Sequence, residues 1–371
     1  MPIKETIKNI VRKDKSLDKY IWDEWCLYKD IKNFLKVYEK FYLKFCETAK
    51  KYDYICSVGK SGFPLAAKFS FDIKKPLIIS SLSEYIYEGR TFVLGVPPDV
   101  DIKNKKVFCI DSHTRTGGSI ELADKLLKSR NIKDVDYFVL FDCRDFQNRK
   151  LHINSLYKWN EIEPQLLEFV PANRISDDEF WMKEDKYWLM SVNPQKWDLP
   201  SNDIPPKSSK QIVLMEEKYS QFMKDGKIEP LQLYMDPDAF HLFIEKCMTE
   251  IKGAGIDTII AASVTAIPIA FVLSTELNSC SNQFIFIMNE SIDYYNNILS
   301  KTKAIALCDD VMLSGGLLYA IAKLLIGENY YDKIKFLITI FNLTQFPESG
   351  RKYIRYLIAK ASPVFLTAFE N

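Results

Sequence analysis

Two stretches of this chain place an acid, a short polar loop and paired glycines in the same order. The first is "CIDSHTRTGGSIELADKLL", Cys109 to Leu127; the second is "CDDVMLSGGLLYAIAKLL", Cys308 to Leu325. In each, an apolar run ends in a carboxylate and a helical pattern starts at the glycines. A loop entering a helix offers unpaired backbone N–H groups and the positive end of the helix dipole. Such a loop suits a phosphate. Gly117 and Gly118 let the backbone come close to a ligand, and a hydroxyl at Thr116 or Ser119 adds a hydrogen-bond donor. Asp111 cannot face that phosphate. It is suited to accept from sugar hydroxyls or to sit near a hydrated Mg²⁺. Phosphate at one end and diol at the other describe a phosphorylated ribose. For a single copy, a strand-to-helix turn with glycines for steric reasons alone explains the pattern as well. Its recurrence two hundred residues on weighs against that plainer explanation.

The elements that must position these loops alternate. Apolar residues at Ile31, Phe34, Leu35, Tyr38, Phe41, Tyr42 and Phe45 have helical spacing and predict an amphipathic helix on a core. "YDYICSVGKSGFPLAAKFS" predicts a strand over 53–58, a Gly-containing turn and a helix from about Pro64. The run 76–82, "KKVFCID" and "VDYFVLFD" read as further strands, with a helix to Arg130 between the last two. Strands alternating with helices imply a mostly parallel sheet covered on both faces. The second half answers the first. "IDTIIAASVTAIPIAFVLS" matches the strand, turn, proline and helix of the earlier segment, with Pro268 for Pro64. "QFIFIMNES" matches "PLIISSLSE", and "IKFLITIFN" matches "VDYFVLFDC". The fold class expected is α/β, two tandem doubly wound domains with mostly parallel sheets, over 1–165 and 231–371. Between them, 166–230 reads as an aromatic, Pro-containing connecting region with "PPKSSK" as a linker. Its tryptophans 181, 188 and 197, with Trp159 just before it, suit packing against a domain better than stacking on a base.

The 371 residues suffice for two ordinary domains, and 47% apolar content supports sizeable cores. A formal net charge of +1 with interspersed signs gives no strong nucleic-acid or membrane footprint. No secretory signal opens the chain, and the longest apolar stretch, 259–273, is interrupted and too short to span a bilayer. Eight scattered cysteines without a CxxC pair read as reduced, buried thiols of a cytoplasmic protein. The three histidines show no metal-ligand spacing. His113 alone lies inside a loop of interest, where it could place a proton donor near a leaving group.

Four apolar residues, one or two acids, a variable stretch and Thr-Gly-Gly-Thr/Ser resemble the signature of the type I phosphoribosyltransferases. "VFCIDSHTRTGGS" carries it with Ser112 where a second acid is usual, a departure shared by the uracil phosphoribosyltransferases. "IALCDDVMLSGG" carries both acids, Asp309 and Asp310, with Ser314 for the usual Thr, then Gly315 and Gly316, and Leu317 where a hydroxyl is expected. "CSVGKSGFPLA" resembles the family's diphosphate loop, with Lys60, Ser61 and Gly62 at its centre; "AASVTAIPIA" keeps the proline but has neither glycine nor cation. The resemblance covers roughly 30–145 and 240–345, and it implies two domains mimicking the family's homodimer as a pseudo-dimer. It also implies a chain that binds phosphoribosyl diphosphate with substrate-held Mg²⁺ and a nitrogenous base, and that releases diphosphate. Thr116, Gly117, Gly118 and Ser119 would then bind the 5′-phosphate, with Ser112 beside them. Asp111 would hold the ribose hydroxyls, and Lys60, Ser61 and Gly62 would face the diphosphate. Arg90, in "YEGRTFVLGVPPD", falls where the family has a mobile closing loop. The second set, Asp309, Asp310, Ser314, Gly315 and Gly316, would form a matching ribose-phosphate site.

The copies depart from the pattern at different points. The first keeps the cation and glycines of the diphosphate loop, so it is the expected catalyst, with the second as support. A site in each half, one of them regulatory, is an alternative. A non-catalytic sensor of phosphoribosyl diphosphate or nucleotide, acting with a protein partner, is another, and nucleotide hydrolysis at C1 is a third. "VGKS" does not make a nucleoside-triphosphate P-loop, because that loop needs a glycine where Tyr54 stands. "GKSG" lacks the elbow of a serine nucleophile.

Overall fold

The computed structural model describes residues 3–14, 19–22, 25–85, 89–96, 100–114, 117–144, 151–162, 164, 210–215, 223–224, 227–228, 231–277, 283–286, 299–312, 328–342 and 363–370. The chain divides into two compact units, Met1–Glu184 with Tyr234–Pro237, and Asp185–Leu233 with Asp238–Asn371.

The first unit opens with helix α1 (Ile3–Ile10) and the hairpin β1 (Val11–Asp14) and β2 (Lys19–Trp22). Helix α2 (Trp25–Lys29) leads to α3 (Ile31–Ala49), whose N-terminus is capped by Asp30 accepting from Asn33 N at 3.0 Å. Then follow β3 (Tyr54–Val58), α4 (Gly59–Ile73), β4 (Leu77–Tyr85), β5 (Gly89–Gly95), β6 (Lys106–Thr114), α5 (Gly118–Ser129), β7 (Asp134–Asp142) and β8 (Ile153–Lys158). The sheet order is β5-β4-β3-β6-β7-β8, and only β5 runs antiparallel to its neighbour.

Alternation along the buried strands sends successive side chains to opposite faces. Phe108 and Phe138 stack on one face at 3.5 Å between ring centroids. Phe69 of α4 stacks on Phe108 at 5.4 Å, and Phe41 and Phe45 of α3 close the cluster. Cys56, Val58, Val107, Cys109, Tyr137 and Val139 face the other way, onto Ile120, Ala123 and Leu127 of α5. The helical spacing expected over 31–45 holds, with Ile31, Phe34, Tyr38, Phe41 and Phe45 buried; Val37 and Ala49 join them, while Leu35 and Tyr42 are half-buried.

The second unit adds β9 (Gln211–Val213), the short pair β10 (Met223–Lys224) and β11 (Lys227–Ile228), and α6 (Leu231–Met235), which spans the division between the units. Helix α7 (Pro237–Ile251), β12 (Thr258–Ala261), α8 (Ile267–Leu277), β13 (Gln283–Phe286), β14 (Ile305–Met312), β15 (Ile334–Asn342) and β16 (Val364–Glu370) complete it. Its sheet, β13-β12-β14-β15-β16-β9, is parallel throughout. The order β4-β3-β6-β7 of the first sheet thus returns as β13-β12-β14-β15. The longest apolar stretch of the sequence runs from buried β12 through a turn into α8, which is buried from Ile267 to Thr275. Among the described residues no helix is long and apolar enough to cross a membrane.

Residues 211–213, inside the expected connecting region, form an edge strand on β16. The prolines and "PPKSSK" of that region, and tryptophans 181, 188 and 197, lie outside the described residues; Trp159 is half-buried. The seven described cysteines are free thiols, and Cys56, Cys109, Cys143, Cys247 and Cys308 are buried. Burial pushes the Cys109, Cys247 and Cys308 thiols well up, which disfavours the reactive thiolate.

Candidate functional site

Strands β3 and β6 are parallel neighbours, so their carboxyl ends share one edge of the sheet. Each runs directly into a helix. Gly59 opens α4 at φ +69° and Gly117 precedes α5 at φ +86°, backbone turns that glycine makes without strain. No side chain caps either helix at Val58 or Gly117. Two helix N-termini therefore bring first-turn amides and positive dipole ends to the same edge.

Asp111 lies between them and is 6% exposed. Its Oδ1 accepts from Ser61 Oγ at 3.0 Å and from Ser112 N at 2.8 Å. Tyr28, fully buried on α2, donates its hydroxyl to Ser61 O at 2.7 Å. The first turn of α4 is thus tied to α2 on one side and to β6 on the other. Gly62 makes the approach possible: a Cβ there would stand 2.6 Å from Ile110 O and 3.1 Å from Asp111 Cα.

The helix expected from Pro64 begins instead at Gly59, with Pro64 inside it. Gly59 turns the chain sharply out of β3, and the Tyr28 and Asp111 contacts hold the coil ahead of the proline. Residues read as a loop become a helix N-terminus, which presents the same amides in a more rigid form.

Of the expected site residues, Asp111, Ser61, Gly62, Gly117, Gly118 and Ser119 come together at this edge. Gly117 is buried, while Gly118 and Ser119 are exposed in the first turn of α5. Ser112 is fully buried, with its hydroxyl 3.3 Å from Nδ1 of the half-buried His113. Lys60 lies in the first turn of α4 and Arg90 in β5, opposite Glu84 on β4; their side chains lie outside what the structure describes. Arg90 therefore sits in a paired strand, where a mobile loop was expected. Thr116, Ser314, Gly315 and Gly316 lie outside the described residues.

Sequence reasoning missed Tyr28 and the buried pair Asp142 and Arg144 at the end of β7. A signal for Tyr28 was present, because "CLYKDIKNF" returns as "QLYMDPDAF", with Tyr28 and Tyr234 both fully buried. An acid two residues before an arginine carries no comparable signal.

The second unit closes the matching turn on itself. Asp310 N donates to Asp309 Oδ1 at 3.0 Å, as Ser112 N does to Asp111. Asp310 Oδ1 accepts from Ser263 Oγ at 3.2 Å, and its Oδ2 from Thr265 Oγ1 at 2.7 Å. Ala266 N donates to Ser263 O and Oγ, both at 3.2 Å, and Ile267 N to Val264 O at 3.2 Å. Ala266 stands where the first unit has Gly62. It carries the Cβ that Gly62 lacks, and α8 starts only at Ile267.

Burial, then the neighbouring Asp310 charge, pushes the Asp309 carboxyl well above the usual 3.8. The folded state then binds a proton that the unfolded state has released, so this group's contribution to stability falls as pH rises from about 4 through the raised pKa. Asp309→Asn is expected to gain melting temperature relative to the wild type as pH goes from about 5 to about 8. A difference that stays constant across thermal melts at several pH values would contradict this.

No family model matches the chain. It is 26% identical over 134 residues to the orotate phosphoribosyltransferase of Saccharolobus solfataricus, and 27% identical over 133 residues to that of Sulfurisphaera tokodaii. Each match covers 34% of this chain and 64% of the relative, so the chain spans under two thirds of the curated relatives it matches. Among solved structures, the Aeropyrum pernix orotate phosphoribosyltransferase overlaps 45% of this chain and 93% of its own at 18% identity, with a TM-score of 0.35. The purine phosphoribosyltransferase of Pyrococcus horikoshii overlaps 34% and 82% at 20% identity, with a TM-score of 0.29. The curated relatives, like the signature stretches at Asp111 and Asp309, point to the type I phosphoribosyltransferase family.

Proposed function

We propose that the first unit binds phosphoribosyl diphosphate and transfers its phosphoribosyl group to a nitrogenous base, releasing diphosphate. The observation that carries this reading is the pair of helix N-termini flanking buried Asp111. One anion-binding end would suit many ligands. Two of them on either side of a carboxylate suit a sugar phosphorylated at both ends.

In this reading the amides of Gly118 and Ser119, with Thr116, hold the 5′-phosphate. The first-turn amides of α4, including Ser61 and Gly62, hold the diphosphate, and the Lys60 cation belongs beside it. Asp111 accepts from the ribose hydroxyls, oriented by Ser61 and Ser112. The nitrogen lone pair of the base forms the new bond to C1. The C1–O bond breaks, and its electron pair leaves with the diphosphate. The transition state is cationic at the sugar, so the protein acts by positioning and by stabilising the departing negative charge. Arg90, on β5, is the candidate to cover the site.

Among the described residues no group of three or more His, Cys, Asp or Glu side chains could hold a metal ion. Asp111 alone fits a Mg²⁺ that arrives on the substrate's phosphates and keeps several waters. Such an ion would screen the diphosphate charge. The second unit is read as support, because Asp310 occupies the hydroxyls of its turn and two of the turn's amides are spent internally.

Calorimetry with phosphoribosyl diphosphate and Mg²⁺ is expected to give one site per chain. Diphosphate release should follow with one member of a base panel, headed by orotate because both curated relatives are orotate phosphoribosyltransferases. Binding without release across the panel would turn the reading to a sensor. The absence of binding would end it.

A further inference from the structure

We propose that the buried Asp142–Arg144 pair is the positioning device for the phosphate-binding end of α5. This inference rests on the reading that α5 receives the 5′-phosphate.

Both residues are 3% exposed. Arg144 Nε donates to Asp142 Oδ1 at 2.8 Å and Nη2 to Oδ2 at 3.0 Å, a two-point grip that fixes the guanidinium plane. Nη1 donates to Leu151 O at 2.9 Å, just ahead of β8. The adjoining Cys143 N donates to Thr114 O at 2.8 Å, the last residue of β6. The stem of Arg144 borders Gly117, with Cδ 3.7 Å from where a Cβ would stand. The segment from Asp142 to Arg144 thereby joins the end of β7, the approach to β8, the end of β6 and the residue that precedes α5.

Two charges removed from water are costly, and an apolar pair of similar volume is commonly as stable. Stability alone therefore gives no reason to keep a charged pair here. Asp142 and Leu151 O hold the guanidinium in one place; its stem borders Gly117 on one side of the phosphate loop, and the adjoining Cys143 N holds Thr114 on the other. Each of the three guanidinium nitrogens donates to a protein acceptor, and the stem borders Gly117, so Arg144 is a positioning residue.

The test compares the wild type with the double variant Asp142→Leu/Arg144→Met, which leaves no charge unpaired, and with the milder Arg144→Lys. The double variant should melt within a few degrees of the wild type. It should bind phosphoribosyl diphosphate roughly tenfold or more weakly, raising KM with little change in kcat, because uniform binding is lost. Arg144→Lys should not restore affinity, since a lysine cannot make the fork. Hydrogen exchange over 112–121 reads the same positioning without ligand, and should quicken roughly tenfold while the interior of β7 stays protected. Unchanged affinity and exchange in a folded double variant would show the pair to be structural only and overturn the inference. If the wild type itself binds no sugar diphosphate, the functional reading fails, and exchange alone decides whether the pair positions the loop.

Discussion

Gly62→Ala is expected to weaken phosphoribosyl diphosphate binding by at least about tenfold and to destabilise the first unit by about 1–3 kcal/mol, the usual range for an overpacked site. The added methyl would stand 2.6 Å from Ile110 O, and that oxygen belongs to a central strand hydrogen-bonded into the sheet. The strand cannot give way, so the first turn of α4 must withdraw. Withdrawal stretches the Ser61–Asp111 hydrogen bond and turns the α4 amides from the edge they share with α5. Ser61→Ala is the control: it removes that hydrogen bond to a carboxylate without moving the helix, a loss of about 1.5–3 kcal/mol. Calorimetric affinity beside thermal melts reads both effects. A Gly62→Ala protein that binds as the wild type does would show that the approach of α4 to β6 is irrelevant to the site.

Asp111→Asn is expected to leave the fold intact and reduce affinity for the sugar diphosphate by roughly 10- to 150-fold. Its amide oxygen can still accept from Ser61 and Ser112, so the local geometry survives. The variant removes the charge, and hydrogen bonds to a charged group are worth about 1.5–3 kcal/mol. The double change Asp309→Asn/Asp310→Asn in the second unit should leave that affinity untouched. If the second change abolishes binding and the first does not, the assignment of the site to the first unit is wrong. If both halve the number of sites, each unit binds.

Much of the site's framework is legible in the amino-acid sequence. An apolar run ending in Asp111, followed by Gly117 and Gly118 and a helical pattern, becomes β6 and α5 because each of those signals is local. The spacing of Phe34, Tyr38, Phe41 and Phe45 gives α3 for the same reason. The start of α4 was misread because Pro64, a good first residue of a helix, competes with contacts far along the chain. Tyr28 and Asp111 stand 33 and 50 residues from Ser61, and together they hold a turn that local preference would leave open. Strand β9 was hidden because three residues in a Pro-containing stretch show no period. Its strand pairing with β16 comes from the far end of the chain.

The amino-acid order by itself determined the alternation of strands and helices, the place of each acid at a strand end, and the loss of glycine and cation from the second turn. Tertiary structure decided which turn ties up its own hydroxyls and amides. In the first unit Gly62 admits the first turn of α4 against β6, whereas in the second the helix starts only at Ile267, after Ala266, and Asp310 gathers in Ser263 and Thr265. The glycine and the carboxylate act across strands that the chain brings together only when it folds.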